Sequence, residues 1–262
     1  MARKNMARKK NRGSHRVRKQ IKSLELSLVN NGRAMDEGPQ KKKKWTTHDV
    51  QSIRPLTQTQ DDMFHQFYQG QNICAHGSAG TGKTFLALYL AINEVIEQGN
   101  RIDKIIIVRS PVQLRELGHM PGDLEEKISF YETPYKDIMA ELFSRAATFD
   151  DMKDAGLIKF MPTTFIRGLT WDNAIVIVDE FQNMTISEID SVITRLGDNS
   201  RVIMCGDVSH QCDLRKEKTG AGDAVKILDR MNSFSLIQFF KEDIVRSKLV
   251  KSWITTREDL NI

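Results

Sequence analysis

The sequence predicts an α/β domain of three layers, with helices on both faces of a mostly parallel sheet and a basic tail ahead of it. Three observations carry that expectation. From Trp45 onward, short apolar runs alternate with stretches of helical spacing. Several runs are continuous and β-branched, as in Ile105-Ile106-Ile107-Val108 and Ile175-Val176-Ile177-Val178, which suits strands covered on both faces. The connections are long enough for the right-handed strand–helix–strand crossovers that a parallel sheet requires.

The tail comes first. Residues 1–44 hold 15 of the 39 Lys/Arg but only 3 of the 34 Asp/Glu, so the net charge of +5 resides there and the remainder is mildly acidic. The tail carries a near-repeat (Met1-Ala2-Arg3-Lys4, then Met6-Ala7-Arg8-Lys9) and a second basic run from Lys41 to Lys44. Charge this dense with so little apolar surface cannot offset the entropy of ordering, so the tail is expected to be disordered. Its role is either non-specific attraction to phosphate backbones, which needs only Lys/Arg density, or solubilisation without a partner. The second unit, residues 45–262, is expected to be one domain, with no second core.

Within that domain the expected elements run in order: helix 58–68, strand 72–75, helix 83–97, strand 104–108, helix 134–149, strand 157–161, strand 174–178, helix 186–196, strand 201–205, helix 221–231, strand 235–239 and helix 242–253. No apolar run approaches the roughly 20 residues of a membrane span, and the N-terminus lacks the apolar core of a signal peptide. Three scattered cysteines, Cys74, Cys205 and Cys212, make a poor disulfide framework. Both features place the protein in the cytoplasm. Cys205, His210 and Cys212 lack the fourth partner of a structural zinc site.

The chemistry concentrates at two strand ends. Gly77-Ser78-Ala79-Gly80-Thr81-Gly82-Lys83-Thr84 fits G-x-x-x-x-G-K-[ST], directly after an expected strand and opening an expected helix. The glycines let backbone N–H groups wrap a phosphate, the helix N-terminus adds a positive dipole end, and Lys83 adds a mobile charge for the β- and γ-phosphates. The Thr84 hydroxyl is suited to Mg²⁺. The four fixed positions arise by chance in roughly one chain in a hundred of this length. About 95 residues later the apolar run ending at Val178 delivers Asp179 and Glu180. Asp179 is expected to hold Mg²⁺ through its water shell, and Glu180 to orient an attacking water. That pairing is a hydrolase signature more than a kinase signature, since a kinase must keep water from the γ-phosphate. A third strand ends at Cys205-Gly206-Asp207, and Asp207 or Gln211 beyond it is expected to sense the γ-phosphate.

With these residues in place the chain resembles the PhoH-like family of phosphate-starvation ATPases, which share the core of superfamily 1 helicases. The likeness runs from about Ile53 to Ile254. Leu56-Thr57-Gln58-Thr59-Gln60 resembles the family's upstream glutamine motif, which implies that Gln60 reads the adenine edge. Leu117-Gly118-His119-Met120-Pro121-Gly122-Asp123, Ile166-Arg167-Gly168-Leu169-Thr170, Thr194-Arg195-Leu196-Gly197 and Asp243-Ile244-Val245-Arg246 resemble further family motifs in the right order. Phe181 stands where the family usually has Ala, and Val208 where Pro usually follows Gly-Asp.

The resemblance implies a single RecA-like P-loop NTPase domain with ATP and Mg²⁺ as cofactors and an RNA-helicase-like activity. It also implies single-stranded nucleic acid as partner, RNA favoured over DNA. Superfamily 1 helicases close ATP between two cores, the second supplying an arginine; this chain has one. A homo-oligomer, a hexameric ring, is therefore expected, with Arg246 or Arg195 reaching a neighbour's γ-phosphate. Arg109, Arg115 and Arg167, with the tail, are candidates for holding nucleic acid. Phe130, Tyr131, Tyr135, Phe165 and Trp171 lie near the motifs, either as base-stacking or as core residues. Two rival readings stand beside this one. The first is a nucleotide-gated scaffold; the second is a phosphotransferase, since Asp179-Glu180-Phe181-Gln182 faintly resembles a type II thymidine kinase motif, although the paired Cys-x-x-Cys of those enzymes is missing.

Overall fold

A computed structural model describes residues 45–97, 99–111, 124–208 and 219–260. Six strands form one sheet: β1 (Asn72–Gly77), β2 (Lys104–Arg109), β3 (Ile158–Pro162), β4 (Ala174–Asp179), β5 (Arg201–Gly206) and β6 (Phe234–Phe239). They lie in the order β3-β2-β4-β5-β1-β6 and every neighbouring pair is parallel. Every strand expected from the apolar runs is present, its limits within one or two residues of those expected.

The β-branched runs explain the layers. Along β2 and β4 the side chains alternate between faces. Ile105, Ile107, Ile175 and Ile177 enter one core; Ile106, Val108, Val176 and Val178 enter the other. The first core is covered by α1 (Gln58–Tyr68), α2 (Lys83–Ile96), α3 (Leu124–Phe143) and α4 (Thr148–Asp154). The second is covered by α5 (Ile186–Ile193) and α6 (Ala221–Leu228). Helix α2 is buried at every position from Leu86 to Ile92, so it is gripped on all sides. That grip fixes its N-terminus, the phosphate loop, against the sheet.

Two helices differ most from expectation. The helix expected from Pro134 to Phe149 is two: α3 runs through Pro134, the chain reverses at Ser144 with φ 50°, and α4 follows. Pro134 read as a helix start because it suits the first turn, yet here it lies inside the helix. The last helix, α7 (Lys248–Asp259), starts later than the expected Glu242, because the Ser247 hydroxyl caps it by accepting from Val250 N–H. Residues 241–243 form only a short 3₁₀ turn, which leaves Arg246 on the connection. Helices α5 and α6 end three residues before their expected limits.

The expected tail, residues 1–44, lies outside the described residues. So do Arg115, Leu117–Asp123, His210, Gln211 and Cys212.

Candidate nucleotide site

The loop between β1 and α2 takes its shape from close neighbours. Gly77 has φ 119°, and a Cβ there would run into the Phe239 carbonyl at the end of β6. At Gly80, φ 75°, a Cβ would lie 3.0 Å from Arg246 Cγ. Glycine is thus required both by backbone conformation and by space. The loop is tied to its surroundings by Ser78 N–H donating to Phe239 O (3.0 Å) and Val245 N–H donating to Gly80 O (3.1 Å). From α1, buried Gln60 donates through Nε2 to Thr81 O (3.0 Å) and accepts from Leu56 N–H at Oε1 (2.8 Å). Its amide therefore joins the loop to the chain that rims the cavity.

Lys83 lies folded into the loop, donating to Gly77 O (2.8 Å), Ser78 O (2.7 Å) and Thr81 Oγ1 (3.3 Å). Burial holds its amine below the ordinary lysine value, against the opposing pull of acidic neighbours including Asp207, Glu180 and Asp179. Thr84 Oγ1 donates to Asp179 Oδ1 (2.7 Å), which joins the end of the phosphate loop to the end of β4. The second oxygen of Asp179 accepts from the Tyr135 hydroxyl of α3 (2.8 Å).

Glu180 follows in the left-handed region, φ 53° and ψ 41°. Burial, and then the adjacent Asp179 charge, pushes its carboxyl above the usual carboxylate range. Gln182 bridges two strand ends: it donates through Nε2 to Glu180 and accepts from the Asp207 N–H (3.1 Å) at Oε1. The bridge depends on Gly206, where any Cβ would press on Gln182 Oε1 and the Phe181 ring. Phe181, fully buried, packs its ring beside Gly206 at the end of β5.

Ala79–Thr84, Gln60, Asp179, Glu180, Asp207 and Arg246 line one cavity of about 1060 Å³. Gly77 and Ser78 lie just outside it and supply carbonyls to Lys83. Arg195 is elsewhere. It sits beside the Trp171–Leu196 bridge that precedes β4, held by Leu169 O (3.4 Å). A six-residue strand separates it from the cavity, roughly 20 Å away. Arg246 borders its own chain's phosphate loop, and Arg195 cannot reach it.

Of the aromatics near the motifs, Tyr131, Tyr135 and Trp171 are buried in the cores, so a base-stacking role for them is corrected to a packing one. Phe130 is 68% exposed. Arg109, at the end of β2, stacks its guanidinium over Tyr131 (5.7 Å) rather than standing free on a loop. Sequence reasoning missed Tyr135 and Gln182 as partners of the two carboxylates. The Gln182 signal was its place two residues after Glu180; Tyr135 left none, being 44 residues from Asp179. Cys205 is buried, and no cluster of metal-ligating side chains occurs among the described residues. No helix among them is long and apolar enough to cross a membrane.

A parallel sheet with a phosphate loop after one inner strand and paired carboxylates after another defines a RecA-like P-loop NTPase fold. The chain belongs to the PhoH-like family: the family model, described as PhoH-like protein, matches residues 52–258. It is similar to the PhoH-like protein of Bacillus subtilis (strain 168), 36% identical over 212 residues, covering 80% of this chain and 65% of that one. It is also similar to Protein PhoH of Escherichia coli (strain K12), 37% identical over 182 residues, covering 68% of this chain and 51% of that one. The chain thus spans from about half to about two thirds of the length of these relatives. Among solved structures, the large terminase of a thermophilic bacteriophage (crystal form 2) is similar at 14% identity, with a TM-score of 0.49 over 76% of this chain and 50% of that one.

Proposed function

We propose that this chain is a Mg²⁺-dependent ATPase whose turnover is coupled to single-stranded nucleic acid, RNA in preference to DNA. The observation that carries the reading is the contact of Thr84 with Asp179 at 2.7 Å, with the partly buried, strained Glu180 immediately beyond.

The donor set fits a magnesium ion, since a hydroxyl and a carboxylate oxygen meet beside a loop built for phosphate. Thr84 and Asp179 would hold it, and when bound it would neutralise charge on the β- and γ-phosphates. The remaining work falls to the chain's own groups. Backbone N–H groups of the loop from Ala79 to Thr84 bind phosphate oxygens, and Lys83 turns from the loop carbonyls to the β- and γ-oxygens. Glu180, its affinity for a proton raised by burial, orients and polarises the attacking water. Gln182 keeps its carboxylate from swinging away and transmits any shift at Asp207. Gln60 braces the loop and rims the base end of the cavity. Gln211, beyond Asp207 in sequence, is assigned as a sensor of the γ-phosphate.

The arginines divide by place. Arg246 serves its own chain's nucleotide, whereas Arg195 can act only on a neighbour's, in a homo-oligomer for which a hexameric ring is the expected form. The basic residues of 1–44, with exposed Arg167, supply the attraction to nucleic acid that a mildly acidic domain lacks. A domain of this composition is expected in the cytoplasm. The partly buried Glu180 weighs against a mere nucleotide-gated scaffold, since holding a carboxylate in a left-handed turn beside another has a cost that hydrolysis explains.

The test is steady-state ATP hydrolysis with and without single-stranded RNA or DNA, for the full chain, Glu180→Gln and a variant lacking residues 1–44. Stimulation of several-fold by nucleic acid, lost in Glu180→Gln and weakened at higher salt or without the tail, supports the proposal. Hydrolysis indifferent to every nucleic acid would leave an ATPase with another partner.

A further inference from the structure

Asp179 is held from two sides by neutral hydroxyls. Thr84 takes Oδ1, and Tyr135 takes Oδ2 from the far side of the cavity wall. Tyr135 comes from α3, a helix that carries none of the phosphate or carboxylate motifs. Its ring is 1% exposed and packs against Phe160 of β3, centroids 5.8 Å apart. A phenylalanine would fill that space equally well, so packing explains the ring and not the hydroxyl. A buried hydroxyl needs a partner, and here the partner is the carboxylate already assigned to the metal.

The chemistry of the donor matters. A lysine or arginine in that position would neutralise Asp179 and weaken its hold on a cation. A phenol fixes the carboxylate plane while leaving its negative charge in place. Arg109 stands one step further back, stacked on Tyr131 and acting electrostatically on both Tyr135 and Asp179. It is the last residue of β2.

We propose that Tyr135 is a positioning residue for the metal: its hydroxyl holds Asp179 Oδ2 so that Oδ1 and the Thr84 hydroxyl present one fixed oxygen pair to the ion's water shell. This rests on the reading of the cavity as a Mg²⁺–nucleotide site. Partners that orient metal-binding carboxylates commonly influence affinity by about 10–100-fold when removed.

The experiment uses the full chain and Tyr135→Phe, which keeps the ring. A fluorescent ADP analogue is titrated first in EDTA and then with increasing MgCl₂, and Mn²⁺ bound in the presence of ADP is counted by loss of the free-ion EPR signal. The expected result is a Mg²⁺ and Mn²⁺ midpoint raised about tenfold or more in Tyr135→Phe. Nucleotide affinity in EDTA should stay within about twofold of wild type, because no phosphate-binding group has changed. The same variant melted without metal should unfold cooperatively near the wild-type temperature. Should Tyr135→Phe fail that check, Tyr135→His, which retains a ring N–H donor, takes its place and should keep a wild-type metal midpoint. An unaltered metal midpoint in Tyr135→Phe overturns the role of Tyr135 alone. A wild-type chain that binds nucleotide with no response to Mg²⁺ or Mn²⁺ overturns the metal site itself, and this inference with it.

Discussion

Strand β4 begins and ends in the same unusual backbone conformation, with different residues. Before it, Asn173 has φ 54°, and before its neighbour β5, Asn199 has φ 55°. After β4, Glu180 has φ 53°. At the leading end the left-handed turns are filled by asparagines, which tolerate that region, and the two bond to each other (Nδ2 to Oδ1, 3.1 Å). At the trailing end the same turn is filled by a glutamate, which does not suit it. The leading end ties its polar groups into the fold: Asn72 Oδ1 accepts from Val202 N–H, and Arg201 donates to the Phe67 and Gln71 carbonyls with Phe67 beneath it. The trailing end gathers like charges. One edge of the sheet is built to stay folded; the other holds strain and charge in place for chemistry.

The sharpest way to break this contrast is to alter one edge and read both stability and turnover. Glu180→Gln removes the water-orienting group, and hydrolysis should fall about 10²–10⁴-fold while nucleotide binding persists, as measured by single-turnover assay and fluorescence titration. Arg201→Met acts on the other edge. It forfeits two hydrogen bonds to carbonyls and the stacking on Phe67, so unfolding in urea should show a loss of about 2–3 kcal/mol. Turnover per folded molecule should not change. If turnover fell with stability intact, the division between the edges would be wrong.

Glu180→Asn makes the two ends of β4 alike. It relieves about 1 kcal/mol of backbone strain, so the melting temperature should rise by about 2–4 °C while hydrolysis disappears. The smallest effect concerns Glu188 on α5. Its carboxylate receives the Thr185 N–H and hydroxyl together with the Ser110 and Thr163 hydroxyls, clamping the exits of β2 and β3. Burial alone would raise its pKa, but those hydrogen bonds outweigh burial and hold it below the usual carboxylate range. A depressed pKa means that the stability is fully present above the ordinary glutamate value and is lost as pH falls through the lowered one. The difference in melting temperature between wild type and Glu188→Gln should therefore be greatest near neutrality and shrink in that acid window.

The same asymmetry governs how much was legible in the sequence. Strands β2 and β4 announced themselves because a run of four β-branched residues has few other homes, and the phosphate loop because glycine, lysine and threonine at fixed spacing answer one local demand. Helix ends were less legible: Pro134 has the same appearance at a first turn as inside a helix, and only the packing of Tyr131, Tyr135 and Met139 on the sheet decided it. Tyr135 could not be paired with Asp179 in advance, since the partnership exists only once α3 crosses the sheet. Nor could Arg195 and Arg246 be told apart by residue type; strand direction alone puts one at each end of the sheet.

The position of β5 has a consequence for length. It lies between β1 and β4, so the strand feeding the phosphate loop and the strand ending in Asp179 and Glu180 are two strand widths apart, roughly 10 Å. On the function proposed above, a terminal phosphoryl group held by the loop and a water held by Glu180 would span such a gap, so that the spacing of the strands, rather than any one side chain, would set how many phosphates reach the glutamate.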